Sequence, residues 1–468
     1  MDERPLSDIA AALRSGEESS KSLFRQAEIC HEKWKQKLNA FKIWDSEKSL
    51  ERAKIADVAF TAGNELGPLQ GIPIAIKDLY GVPGLPTFAG SAMPLPSKWE
   101  KAGPVVAEIQ CQLGNIVGKT HTVEFAFGGL GDNPHWGAPR NPWDAVQHRS
   151  PGGSSSGAAA CLWEGSALVA FGTDTMGSVR IPAAMNGVVG LKLTHGRWSN
   201  KGIVPLLAEV DTPGPLVRSV ADAAYVFVAL DPALHGNSAS NPTKIGQAEI
   251  DDFRIGIADD CFWQDCDHGI VECVRKSISE LEKSGATIVD APSSETAELM
   301  AIVMAGGVPY REFADFLDNE LPEWVDRVGA PLKARLKKAR GLSTYESMAM
   351  DKRLNGLAES ARKKFTGFDV IVSPTVPVSP PIMIDGVPKI DATDWSPIIN
   401  ARNTSPVNLF RQCAITLPVG LDGANMPVGL QVIAQGGQEE KLLSAALAME
   451  SVLGKCEDRL GFPPFLGI

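Results

Sequence analysis

Three observations predict an α/β fold with a largely covered sheet. Short apolar runs recur along the chain, stretches with helical spacing separate them, and turn residues mark their ends. The runs are apolar at consecutive positions rather than alternating, as strands buried on both faces require. Gly and Pro are scattered as turn formers, and no internal repeat recurs at a period of 20–50 residues.

Taken in order, the first ~60 residues read as helical. Ile9, Leu13, Leu23, Ala27 and Trp34 fall near helical spacing, with Ser7 as a candidate cap. Gly71-Ile72-Pro73-Ile74-Ala75-Ile76-Lys77 reads as a buried strand ending in a lysine. Ala107 to Leu113 is helical and Gly114 to Gly118 strand-like. Ser156 to Cys161 suits a helix packed closely through small residues, and Ala167 to Phe171 is a strand. Further strands are read at 285–289, 368–372 and 427–433, and a closing helix at 439–453. Pro232 to Ala248 is polar and turn-rich, and reads as a linker or surface excursion.

Composition excludes several classes. The 468 residues are 44% hydrophobic and 22% charged, an ordinary globular balance, with net charge −11. No sustained basic run exists to track phosphates, so nucleic-acid binding is not expected. Lys337-Lys338 and Arg362-Lys363-Lys364 read as solvated helix faces. No run approaches the ~18 apolar residues needed to span a bilayer, and the first residues do not resemble a signal peptide. The eight scattered cysteines read as free thiols, which makes the cytoplasm the expected location. Cys261, Cys266, His268 and Cys273 lie close together but lack paired zinc spacing, and read as a loop before a helix.

Three segments carry chemistry. Pro151-Gly152-Gly153-Ser154-Ser155-Ser156-Gly157 has compact apolar flanks, unlike a flexible linker, and no GxxxxGK[ST] phosphate loop is present. Gly172-Thr173-Asp174-Thr175-Met176-Gly177-Ser178-Val179-Arg180 places a serine after a glycine in a turn behind a strand. That arrangement presents a nucleophile beside backbone N–H groups. Asp174 and Arg180 suit a buried ion pair that pins the turn. Lys77-Asp78 ends an apolar run, where burial lowers a lysine pKa and makes a neutral base available. The seven histidines form no GxSxG or HExxH pattern, and His121, His135 and His148 read as polar loop residues.

Together these segments resemble the amidase-signature family of serine amidohydrolases. Glu124-Phe125-Ala126, Gly187 to Lys192, Gly214-Pro215-Leu216 and Pro427 to Gln431 add to the match, and 24 positions separate Ser154 from Ser178. The resemblance is dense over 69–222 and sparse over 232–365. It implies a large mixed β-sheet covered by helices on both faces. A helical arm would occupy 1–60 and one α/β domain 61–468, with 232–365 supplying a variable substrate pocket.

It also implies a catalytic triad in which Ser178 is the nucleophile, Ser154 follows a cis peptide, and neutral Lys77 is the base. The N–H groups of Thr175, Met176, Gly177 and Ser178 would form the oxyanion hole, with Ser155, Asp174 and Arg180 in support. No metal or cofactor is required. The expected activity is hydrolysis of a small linear amide through an acyl-enzyme, and a homodimer is the family-level expectation. The alternatives are the glutaminase (A-type) subunit of a tRNA-dependent amidotransferase, and a catalytically inactive binding member.

Two departures bear on substrate. Met176 stands where the family usually has glycine, and it would be strained if that position required positive φ. Arg411 and Cys413 replace a common glycine and proline. Met176 is expected to narrow the pocket, and Arg411 either meets a substrate carboxylate or pairs with a surface acid. Met300, Met304, Tyr310, Phe313 and Trp324 are pocket candidates that also suit core positions.

Overall fold

The computed structural model describes residues 3–234, 245–246, 248–304, 308, 310–389 and 399–467. Its strands, in chain order, are β1 (Phe41–Trp44), β2 (Pro73–Lys77), β3 (Asn115–Thr120), β4 (Val169–Asp174), β5 (Val189–Lys192), β6 (Thr212–Val217) and β7 (Arg254–Ala258). They continue with β8 (Thr287–Ala291), β9 (Val370–Pro374), β10 (Met383–Ile384), β11 (Val387–Pro388), β12 (Cys413–Leu421) and β13 (Pro427–Ala434). Eleven of these form one sheet in the order β1-β3-β2-β4-β6-β5-β12-β13-β9-β7-β8, while β10 and β11 form a separate hairpin.

Pairing is mixed. β2 is parallel to β3 and β4, and β7 to β8 and β9. The centre, from β4 through β6, β5, β12 and β13 to β9, is antiparallel.

Successive side chains of a strand point to opposite faces. Ile74 and Ile76 of β2 enter one hydrophobic core and Ala75 another; Val169 and Phe171 divide from Ala170 of β4 in the same way. All positions of β2, β3, β4, β6 and β13 are buried, so both faces are covered there. Burying an Ile or Phe in this way is worth roughly 1.5–3 kcal/mol. Ser156–Glu164 packs against β4 and β2, and Val220–Leu230 against β6 and β5.

Predicted elements are found within two to four residues of their expected bounds, and the closing helix is Glu439–Leu453. Two expectations near the N-terminus are corrected. The first sixty residues are not all helical, because Phe41–Trp44 forms β1 on the edge of the sheet, antiparallel to β3. Asn39, left-handed at φ 52°, ends the preceding helix, and Asp45 caps the next, leaving an aromatic run free to pair. Ser7 does not cap the first helix. That helix begins at Leu6 after Pro5, and the Leu6 N–H donates instead to Asp222 Oδ1 at 2.8 Å.

The Cys261–Cys273 stretch is a 3-10 turn followed by a helix starting at His268. Most of the expected linker, 235–244 and 247, lies outside the described residues. Among the described residues no helix is long and apolar enough to cross a membrane.

Candidate active site

The site forms where β2 and β4 end side by side. Ile76 of β2 pairs with Phe171 of β4, so Lys77 emerges beside Thr173. Lys77 is fully buried, and its Nζ donates to Ser154 Oγ at 2.7 Å and Thr173 Oγ1 at 2.8 Å. Burial pulls the Lys77 pKa from 10.5 down to about 7, against the opposing pull of Asp211 and Asp174.

Ser154 is held by its backbone. The Gly153–Ser154 peptide is cis, and the Ser154 carbonyl accepts from the Val123 N–H at 3.1 Å and Thr122 Oγ1 at 3.0 Å. Gly153 is required by close approach, since a Cβ there would lie 2.7 Å from the Gly131 nitrogen. Ser155 stitches this loop to the next segment. Its Oγ accepts from the Thr173 N–H at 3.3 Å, and its N–H donates to the Ser178 carbonyl at 3.3 Å.

The turn after β4 is built around the Asp174 carboxylate. Arg180 forks onto it, Nη2 to Oδ1 at 2.9 Å and Nε to Oδ2 at 3.0 Å, with both side chains fully buried. Burial alone would raise the Asp174 pKa. The Arg180 charge and hydrogen bonds, with Lys192 and Asn408, outweigh it and hold the carboxyl well below its usual range. Arg180 is satisfied further by Gln431 Oε1, Asn408 Oδ1 and the Thr404 carbonyl.

This carboxylate also accepts the Gly177 N–H at 2.8 Å and the Val179 N–H at 3.2 Å. Gly177 therefore does not offer its N–H as the sequence reading expected, because Asp174 consumes it. Among the described residues, the N–H groups of Thr175, Met176 and Ser178 have no protein acceptor. The backbone strain feared at Met176 is absent, since the left-handed residue is Gly177, at φ 121°. A Cβ on Gly177 would lie 2.1 Å from Thr404 Oγ1, the hydroxyl that donates to the Met176 carbonyl at 2.6 Å.

Ser178, only 6% exposed, opens onto a cavity of about 630 Å3. Thr175, Met176, Phe127, Leu206, Tyr310 and Arg335 line it with others. Thr175 Oγ1 donates to Asp211 Oδ1 at 2.5 Å, and Asp211 also accepts the Leu206 N–H at 2.8 Å. Burial raises the Asp211 pKa to about 6.

Arg411 does not join this group. It is exposed, contacts Asn355 Oδ1 at 3.1 Å, and lines a separate surface cavity with Arg362 and Gln435. Its backbone is left-handed, φ 57°, which accounts for a glycine preference at that position without any ligand. The histidines are occupied elsewhere. His121 bonds Ser156 Oγ and burial pulls its pKa down to about 3, His135 meets Glu124, and His148 meets the Pro139 carbonyl.

Of the pocket candidates, Tyr310 lines the cavity, whereas Met300, Phe313 and Trp324 are core residues. The side chain of Met304 lies outside the described residues. Thr173, Asp211, Asn408 and Gln431 were not singled out from sequence. The last two come from segments more than 220 residues away, so no local pattern marks them.

Residues 27–443 match the family model Amidase. The chain belongs to the amidase family. Among its relatives is the 2-amino-5-chloromuconic acid deaminase of Comamonas testosteroni, 43% identical over 98% of both chains. The A-type subunit of the glutamyl-tRNA(Gln) amidotransferase of Acaryochloris marina is 31% identical, covering 88% of this amidase-family chain and 90% of the relative. A crystal structure of an amidase superposes with a TM-score of 0.83 at 26% identity, covering 96% of this chain and all of the other.

Proposed function

We propose that the chain hydrolyses the C–N bond of a small linear amide through Ser178, with Ser154 and Lys77 as a proton relay. The observation that carries this reading is the 2.7 Å bond from fully buried Lys77 to Ser154, in the loop tied by Ser155 to Ser178 at the cavity wall. Neutral Lys77 takes the Ser154 proton, and Ser154 takes that of Ser178. The Ser178 Oγ adds to the carbonyl carbon. The oxyanion is received by the unused N–H groups of Thr175, Met176 and Ser178, each such donor being worth roughly 3–4 kcal/mol in the barrier. The relay returns the proton to the leaving nitrogen, and water then cleaves the Ser178 ester.

A second reading is favoured by the 43% identical deaminase. The scissile nitrogen would then sit on an unsaturated carbon of an amino-substituted acid, with ammonia leaving. In this reading the enamine tautomerises to its imine, Ser178 adds to that carbon, the relay protonates the departing ammonia, and water releases the carbonyl product from Ser178.

Intact-mass analysis after treatment with a neutral fluorophosphonate tests their common core. One adduct is expected on the wild type and none on Ser178→Ala. An adduct that persists in the variant, or none on either, refutes Ser178 as the nucleophile.

A further inference from the structure

The cavity in front of Ser178 is lined by more cations than anions. Its charged lining residues are Arg335, Lys338 and Arg353 against Glu346 alone, in a chain of net charge −11. Arg353 is already paired with Glu298. Arg335 is half-buried, and its guanidinium is fixed by a 2.6 Å bond from Nη1 to the Phe127 carbonyl and by stacking 4.8 Å from the Phe127 ring centroid. Phe127 itself packs on Tyr310, ring centroids 4.4 Å apart, so the fork rests on a firm platform.

Among the described residues no carboxylate lies within ion-pair distance of Arg335, and the Phe127 carbonyl is the acceptor its guanidinium meets. Burial weakens the hold of the Arg335 guanidinium on its proton, and the charge of Asp132 opposes that. A planar guanidinium desolvated without a carboxylate is costly, and it matches a carboxylate in bidentate geometry.

We propose that Arg335 binds a carboxylate of the substrate, so that the chain acts on small amides or amino-substituted unsaturated compounds that also carry an acid group. The proposal rests on the assignment of Ser178 as nucleophile only for which bond is broken; the carboxylate site stands on the cavity alone.

Calorimetry with adipate, a six-carbon dicarboxylate, and with its uncharged dimethyl ester tests the site without any bond cleavage. The wild type is expected to bind adipate and to bind the ester at least about ten-fold more weakly, the loss of one charge-assisted pair. Arg335→Gln is expected to lose adipate binding by a similar factor, and Arg335→Lys to recover part of it. A melting curve for each variant separates a lost site from a lost fold. Equal binding of acid and ester by the wild type overturns the proposal whatever the variants do, as does undiminished adipate binding by Arg335→Gln. Fluorophosphonate labelling reports on Ser178 separately, so its failure leaves the carboxylate site standing, and the reverse.

Discussion

Replacing Lys77 by Met separates the chemical role of this side chain from its energetic cost. In the folded chain Lys77 titrates near 7 instead of 10.5, because burial strips its ammonium of water. The unfolded chain therefore binds a proton there that the folded chain releases between those two values. Stability rises with pH across that window, and the full cost of burial applies below about pH 7. At about 1.4 kcal/mol per pKa unit the cost is on the order of 5 kcal/mol.

Met removes it but leaves the Ser154 and Thr173 hydroxyls without the Nζ partner, a loss of roughly 1–3 kcal/mol. Lys77→Met is thus expected to gain roughly 2–4 kcal/mol at neutral pH. For a chain of this length the unfolding entropy is near 1 kcal/mol per degree, so the melting temperature should rise by roughly 2–4 °C. Near pH 10.5 the cost has vanished and the variant should be the less stable protein. The same variant should label with fluorophosphonate about 10²–10⁴ times more slowly. It should also lose the rise in labelling rate that the wild type shows as pH passes about 7. Calorimetric scans at pH 6, 8 and 10.5 with labelling time courses give every term. A variant that is less stable at all three pH values would show that Lys77 is charged in the folded chain and would refute the neutral base.

Two further outcomes follow from the same structure. Met176→Gly should widen the cavity beside Ser178 and shift the hydrolysis profile toward bulkier acyl groups; a panel of amides of graded size reads this, and an unchanged ranking counts against Met176 as a wall of the pocket. Glu450 accepts the Val220 N–H at 2.8 Å, and burial pushes its pKa to about 7, so the wild type loses stability as pH rises from about 4.5 to 7. Glu450→Gln should be more stable by roughly 3 kcal/mol above pH 7 and unchanged near pH 4; denaturant titrations at the two pH values would expose the idea as wrong if the difference did not vary.

What could be read from sequence was whatever is local. Lys77 stood out because it ends an apolar strand, and Asp174 and Arg180 because only five residues of turn lie between two opposite charges. β1 was hidden because four residues between two helices carry too little periodicity to register. Arg335 was hidden for a different reason: on the helix Ala330–Gly341 it reads as one more cation on a basic solvated face, and only the packing of that helix over Phe127 turns it toward the cavity. Arg411 shows the converse. Its departure from a glycine pattern suggested a ligand, yet left-handed backbone explains the pattern and the side chain lies elsewhere.

The fate of the Gly177 N–H shows how the charges of the site divide their work. A buried carboxylate next to a serine is a candidate general base, but Asp174 is held ionised by Arg180 and its lone pairs are filled by N–H groups of the turn and by Asn408. A group so saturated stays far too weak a base to take a serine proton near neutral pH. It fixes the turn instead, and in doing so leaves the N–H groups of Thr175, Met176 and Ser178 without acceptors. Lys77 is the opposite case. Buried without a carboxylate in hydrogen-bond contact, it titrates near neutral pH, as the proposed base must. The ion pair and the unpaired lysine are complementary consequences of one dry interior: the pair supplies a rigid frame, and in the proposed mechanism the lysine is the proton acceptor that the frame cannot be.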